Sequence, residues 1–158
     1  MRTSAIKGFC FGLTSGIITT LGVLVGLQSG TGSRLVVIGG VLSIAIADSF
    51  SDALGIHVSE EADPNKTEKD VWAATFSTFF SKLVFSSTFI IPVLFLDLTK
   101  ALIVSSIWGL SVLAILSYFV AKSQNNKPTK VIAEHLFIAL LVIFITHYVG
   151  QWVSITFG

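Results

Sequence analysis

The chain is poor in charged residues. Lysine, arginine, aspartate and glutamate together make up 12% of its 158 residues, whereas soluble domains usually carry about 25%. Apolar residues of the set AVILMFWYC account for 53%. A compact soluble fold of this length could not bury that much apolar surface. The composition therefore predicts an integral membrane protein, whose apolar surface is covered by the bilayer.

Other absences exclude several classes of function. The only cysteine, Cys10, cannot form a disulfide within the chain or a cysteine-only metal cage. The formal net charge is +1 and there is no basic stripe, so nucleic-acid binding is not expected. No phosphate-binding glycine loop and no nucleophile–base pair is recognisable, so we expect neither an enzyme nor a prosthetic group. The first apolar stretch is too long for a cleavable signal peptide.

Five apolar stretches are long enough to cross a bilayer, because a spanning helix needs about 20 residues. They are residues 8–28, 35–56, 72–96, 101–121 and 131–156. The predicted fold is a single all-α membrane domain, residues 1–158, with five transmembrane helices. Pro64 and Pro128 lie in polar connections, where a proline can begin the next helix.

The basic residues outside the spans are distributed unevenly between the two sides of the membrane. If the N-terminus is cytoplasmic, Arg34 and Lys100 lie on the outer side. The cytoplasmic side then carries Arg2, Lys7, Lys66, Lys69, Lys122, Lys127 and Lys130. Because cytoplasmic loops are enriched in lysine and arginine, this predicts a cytoplasmic N-terminus and a C-terminus on the opposite side.

The second apolar stretch contains two aspartates. A carboxylate in hydrocarbon is costly unless it faces protein, water or a charged partner. Asp48 and Asp52 are four residues apart and so share one helical face, which Gly55 and Ser59 extend. Paired carboxylates at this spacing suit a divalent cation or a shared proton, so both are candidate metal-binding residues. The alternative is that the end of the helix lies in interfacial water, where Asp52 would simply be solvated.

Three further groups that could bind metal follow on the same helix. His57, Glu60 and Glu61 lie on the side opposite the aspartates if the helix continues. Imidazole and carboxylate groups suit first-row transition metals, so they could form a separate cytoplasmic entry site, which Glu134 from the fifth span could complete. The alternative is an ordinary charged helix end at the membrane surface.

The first apolar stretch carries a ridge of small residues. Such a ridge lets another helix approach closely, and its hydroxyls can bond across the interface. We expect it to serve helix packing, including a dimer contact. The glycines of the ridge are Gly8, Gly12, Gly22 and Gly26. Ser15 and Thr19 lie on the same line and could instead belong to a polar transport pathway.

Lys82 lies well inside the third span. A long lysine side chain can extend its ammonium to the membrane surface. The alternative is that Lys82 pairs with Asp48 or Asp52 inside the membrane and is displaced when substrate arrives.

Several segments resemble the vacuolar iron transporter family. GLTSGIITTLGVLVGL and GGVLSIAIADSFSDA are similar to that family's first two helices. IIPVLFL and KPTKVIAEHLFIALLVIFITHYVGQ are similar to parts of its last three. The resemblance extends over nearly the whole chain, and it implies the same five-span fold with a cytoplasmic N-terminus.

The resemblance also implies a function. Members are homodimers that move Fe²⁺ or Mn²⁺ out of the cytosol, usually against protons, so the metal ion would be the substrate. The resemblance places Asp48 at the family's second-helix acid or glycine and Ser43 at the serine of the same family helix. A prokaryotic member would lie in the cell membrane, and a eukaryotic one in a vacuolar-type membrane.

The chain departs from the family pattern in three places. The pathway aspartate of the first helix is Ser15, the methionine of the second is Ile44, and the long cytoplasmic metal-binding helices are reduced to SEEADPNKTEKD. Loss of a carboxylate and a thioether weakens selectivity for soft metals, and the pair Asp48 and Asp52 could compensate. Two alternatives stay open: a carrier of the same fold with another substrate, or a membrane module that assembles with partners and transports nothing.

Overall fold

The computed structural model describes residues 1–158 and contains helices but no strands. Five segments are long and apolar enough to cross a membrane, with α3 and α4 together forming the third. The predicted fold class of an all-α protein with five membrane-spanning segments is therefore confirmed. The helices are α1 (Arg2–Thr31), α2 (Arg34–Glu61), α3 (Glu68–Thr88), α4 (Ile90–Phe95), α5 (Leu98–Ser123) and α6 (Pro128–Phe157).

Local sequence explains where most of these helices begin and end. Gly32 ends α1 in the left-handed conformation (φ 59°) that glycine adopts most easily. The Thr67 side chain accepts a hydrogen bond from the Asp70 N–H, and the Asp70 side chain accepts one from Thr67, which forms a capping box at the start of α3. Pro128 begins α6 as predicted, whereas Pro64 lies in the turn before α3 and begins no helix.

The third span is interrupted, which the hydropathy pattern did not predict. Its helix breaks at Phe89, between α3 and α4. Pro92 explains the position of the break, because its ring clashes with the carbonyl four residues earlier and its nitrogen donates no hydrogen bond. That carbonyl belongs to Thr88, the last residue of α3.

Helix α1 is the central element of the bundle and packs against α2, α3, α5 and α6. It runs parallel to α3 and α6 and antiparallel to α2 and α5. The two chain termini therefore lie at opposite ends. We call the end that contains Met1, the 62–67 turn and the 124–127 turn the N-terminal end of the bundle. The apolar core around α1 includes Leu13, Ile17, Leu21, Leu24, Val37, Val41, Phe89 and Leu113.

The outward surface of the bundle is apolar. In α6 only Ala139 and Gly150 are buried, while Phe144 and Trp152 are 60% exposed. Soluble monomers rarely expose large contiguous apolar surfaces, so this exterior fits a bilayer. The chain is thus a multi-pass integral membrane protein.

Candidate cation site

Lys82 of α3 forms ion pairs with both aspartates of α2. Its ammonium nitrogen contacts Asp48 and lies 2.5 Å from Asp52 Oδ2. It also donates a hydrogen bond of 2.8 Å to the Ser15 hydroxyl of α1. Of the two alternatives for Lys82, the structure shows the intramembrane ion pair and not extension to the surface. Three helices therefore meet at this one ammonium group.

Small residues on α1 make room for the lysine. A Cβ atom at Gly16 would lie 3.3 Å from Lys82 Cγ and 3.1 Å from Ser86 Oγ, so a larger residue here would push these side chains by a few tenths of an ångström. The Ser86 hydroxyl also donates to the Gly16 carbonyl at 3.4 Å. Sequence analysis missed Gly16, although it continues the four-residue spacing of Gly8 and Gly12. The glycines thus allow α3 to approach closely enough to place a long side chain between helices.

The site has a closed side and an open side. The Lys82 side chain is 1% exposed, whereas those of Asp48 and Asp52 are 22% and 19% exposed. Asp48 Oδ2 contacts the ammonium but accepts no hydrogen bond of regular geometry. The partly exposed carboxylates open toward the outward surface of the bundle. Asp48 lies near the midpoint of the 28-residue helix α2, so this opening is at about the centre of the membrane.

Of the three hydroxyl residues predicted to belong to the pathway, Thr19 and Ser43 do not contact Lys82. Thr19 is half-buried one turn beyond Ser15 and donates its hydroxyl hydrogen to the Ser15 carbonyl. Ser43 is exposed on the outward face of α2. Ser15 is the only one of the three that touches a charged group.

The glycine ridge of α1 packs against helices of the same chain. Gly8 and Gly12 lie against the backbone of α3 at Ala74 and Thr78. In the other half of α1, a Cβ at Gly22 would lie 3.1 Å from Val142 of α6, and Gly26 also faces α6 at Thr146. The ridge is therefore occupied within one chain, and a dimer contact would have to use another surface.

Glu60 is part of a separate ionic cluster at the N-terminal end of the bundle. Its side chain is 1% exposed, and it pairs with Lys7 of α1 and, at 3.4 Å, with Lys66 of the turn. The Met1 amine pairs with Asp70 nearby. These ionic contacts join the ends of α1, α2 and α3. Glu60 is already neutralised by two lysines, so it is a poor candidate for binding a metal.

The proposed entry-site residues are not brought together. His57 Nδ1 is 3.0 Å from the Thr75 hydroxyl and faces α3, whereas Glu60 faces α1. Of the four residues only His57 and Glu61 share a surface, an exposed open cleft that Glu68 and Lys66 also line. Glu134 lies on α6, 3.8 Å from Lys130, and α6 packs mainly against α1 and α5. No three histidine, cysteine, aspartate or glutamate side chains lie close enough to hold a metal ion within one chain.

Comparison with known proteins identifies the family. The model of the VIT family matches residues 52–151, which is more than half of the chain. The chain belongs to the VIT family. VIT proteins are membrane metal-ion transporters, which accords with five spanning segments and a charged site inside the membrane. The match includes Asp52 and Lys82 but begins after Ser15 and Asp48. No curated protein matches the chain significantly.

Proposed function

We propose that this VIT protein transports divalent transition-metal cations, Fe²⁺ or Mn²⁺, and that Asp48 and Asp52 bind the cation in transit. The observation that carries this proposal is the pair of carboxylates at the middle of α2, which share a single counter-charge on Lys82. Ionisable groups at this depth are costly and typically mark an ion pathway. Family membership supports a metal ion as the substrate.

The number of ligands favours a homodimer. One chain supplies two carboxylates and the Ser15 hydroxyl at the site, whereas divalent ions bound by oxygen commonly take about six ligands. Both carboxylates are partly exposed on the outward surface, where contact with lipid would be unfavourable. A second copy that covers this surface would shield the carboxylates and add its own ligands.

The outward face of α2 is the surface we propose for this contact. It carries small residues at every fourth position, and a Cβ at Gly39 or Gly55 would meet nothing within 4 Å. Closely spaced small residues let membrane helices approach each other. These exposed residues are Gly39, Ser43, Ala47, Ser51, Gly55 and Ser59, and they border Asp48 and Asp52. The pathway would then lie along the contact between the two chains.

We further propose that transport runs from the cytosol outward and exchanges the metal for protons. The distribution of lysine and arginine supports a cytoplasmic N-terminal end, and the resemblance to iron transporters supports export against protons. Under this orientation the cleft of His57, Glu61 and Glu68 would face the cytosol. Two glutamates against one lysine, Lys66, would leave the cleft net negative and attract cations without forming a complete metal site.

Flux into proteoliposomes tests the proposal. Purified wild-type protein is reconstituted, and uptake of Fe²⁺, Mn²⁺, Zn²⁺ and Ca²⁺ is followed with and without a pH gradient. We expect Fe²⁺ or Mn²⁺ flux that depends on the gradient, and its loss in Asp48→Asn and Asp52→Asn. Asp97→Asn is the matched control, because Asp97 is 76% exposed and pairs only with Lys100.

The outcomes separate the alternatives. Flux of another cation that still requires Asp48 and Asp52 would indicate a carrier of the same fold with a different substrate. If no cation moves, the transport proposal is wrong and a non-transporting membrane module is favoured. If both asparagine variants fold and carry normal flux, the aspartates do not bind the transported ion.

A further inference from the structure

We infer that the Lys82 ammonium is a tethered cation that competes with the transported ion for Asp48 and Asp52, and that this competition makes the site select divalent over monovalent cations. The inference rests on the proposed function, since it concerns the same site. It assigns to Lys82 a role in specificity that a purely structural ion pair would not have.

The charges at the site show that the ammonium already occupies the position of a bound cation. It contacts both carboxylates and is fully buried. Neither aspartate pairs with any other basic group, and α1 contributes only the neutral Ser15 hydroxyl. Two carboxylates and one ammonium leave the site with one negative charge. An arriving cation therefore meets carboxylates that are attractive but already occupied.

The tether gives the ammonium an advantage over free ions of the same charge. The tether holds the ammonium beside the carboxylates, so it is not captured from solution, and Na⁺ or K⁺, which carries the same single charge, gains no Coulomb attraction over it. A divalent cation has twice the Coulomb attraction to each carboxylate. It therefore gains attraction by displacing the ammonium, whereas a monovalent ion gains none.

The surroundings also give the displaced ammonium an acceptor. The Ser15 oxygen lies 2.8 Å from the nitrogen on the side of α1, while the carboxylates open on the outward side of α2. An ion that approaches from the open side can take the carboxylate oxygens while the ammonium keeps its hydrogen bond to Ser15. The displacement requires rotation of a flexible side chain and no movement of a helix.

Binding measurements on the purified protein test this role without requiring transport. Mn²⁺ is titrated at several Na⁺ concentrations, and occupancy is followed by the rise in melting temperature that a bound ligand produces. In the wild type we expect Na⁺ to compete poorly. In Lys82→Met the tethered competitor is gone, so the Mn²⁺ half-saturation concentration should fall about tenfold or more and Na⁺ should compete effectively. Lys100→Met, which removes an exposed lysine, should match the wild type.

Lys82→Arg provides a second test that retains the positive charge. A guanidinium group can hold carboxylates through several parallel hydrogen bonds and is harder to displace. We expect Mn²⁺ half-saturation to rise in this variant while Na⁺ remains excluded. If Lys82→Met does not fold, Lys82→Arg alone tests the inference. An Mn²⁺ half-saturation concentration unchanged from the wild type would then contradict competition by the side chain.

The inference and the proposed function can fail separately. If Lys82→Met binds Mn²⁺ with the wild-type preference over Na⁺, the lysine is only structural, although the cation site stands. If neither Mn²⁺ nor Fe²⁺ stabilises the wild type or Lys82→Met, there is no cation site, and both proposals are wrong.

Discussion

Lys82 and Asp52 lie thirty positions apart in the sequence, yet the lysine nitrogen is 2.5 Å from the aspartate oxygen. This ion pair joins α3 to α2 near the middle of the second and third spans. The contact of Asp48 with the same nitrogen leaves one carboxylate in excess. Both the stability of the protein and the chemistry of the site should therefore depend on the charge balance among three side chains.

The charge balance predicts an order of stabilities. Asp48→Asn or Asp52→Asn leaves one carboxylate with one ammonium, so each single variant should lose little stability. Lys82→Met leaves two carboxylates without a counter-charge, and the double variant Asp48→Asn/Asp52→Asn leaves a buried ammonium alone. Breaking a buried pair from one side costs about 3–5 kcal/mol. Unfolding by denaturant in detergent micelles measures these differences, and equal losses in all four variants would contradict the prediction.

Close packing of α1 against α3 should be sensitive to a single methyl group. A Cβ at Gly12 would collide with the Thr78 carbonyl and the Ser81 hydroxyl, so Gly12→Ala should destabilise the bundle by about 1–3 kcal/mol. Gly26→Ala on the same helix is the control, because a Cβ there would lie 3.5 Å from the Thr146 carbonyl oxygen, an ordinary contact distance. Melting temperatures in the same detergent check the comparison. Similar values for the two variants would show that α3 can move away from α1 without cost.

A bulky residue on the outward face of α2 should separate the proposed dimer. Ser51 is exposed beside Asp52, so Ser51→Trp should shift the protein to monomers in size-exclusion chromatography with light scattering, and metal flux should be lost. Ser111→Trp places the same side chain at an exposed position of α5 and should leave both properties intact. If Ser51→Trp remains dimeric, α2 is not the interface.

The orientation of the chain is a separate prediction. With the N-terminus in the cytoplasm and five spans, Gly158 should lie on the other side of the membrane. Two reporters fused after Gly158 measure this. One that works only outside the cytoplasm should give a signal, and one that works only in the cytoplasm should give none. The opposite pattern would reverse the proposed direction of transport.

Much of the fold could be predicted from local sequence. Spanning segments are recognisable because the bilayer requires long, continuous apolar helices, and the start of α6 follows from the fixed backbone angle of Pro128. The break at Phe89 could also have been predicted, since the ring of Pro92 clashes with the carbonyl of Thr88. A hydropathy profile misses it because the sequence on both sides of the break is equally apolar.

The candidate site could be predicted only in part. The two aspartates stand out because charge in an apolar segment is rare and costly. His57 and Glu60 are only three positions apart, but they face different helices and have different partners. Periodicity places residues on a face of one helix, but it contains no information about which helix covers that face.

Hydropathy and charge along the chain were enough to predict that the protein lies in a membrane, which segments cross it, and that two carboxylates lie within one of them. The packed helices were needed to show that Lys82 pairs with both aspartates, that the glycines of α1 face α3 and α6, and that Glu60 pairs with two lysines. The physical reason is that membrane insertion depends on the hydrophobicity of each segment alone. Ion pairs and close helix contacts depend on groups far apart in the chain, and packing of the helices brings them together.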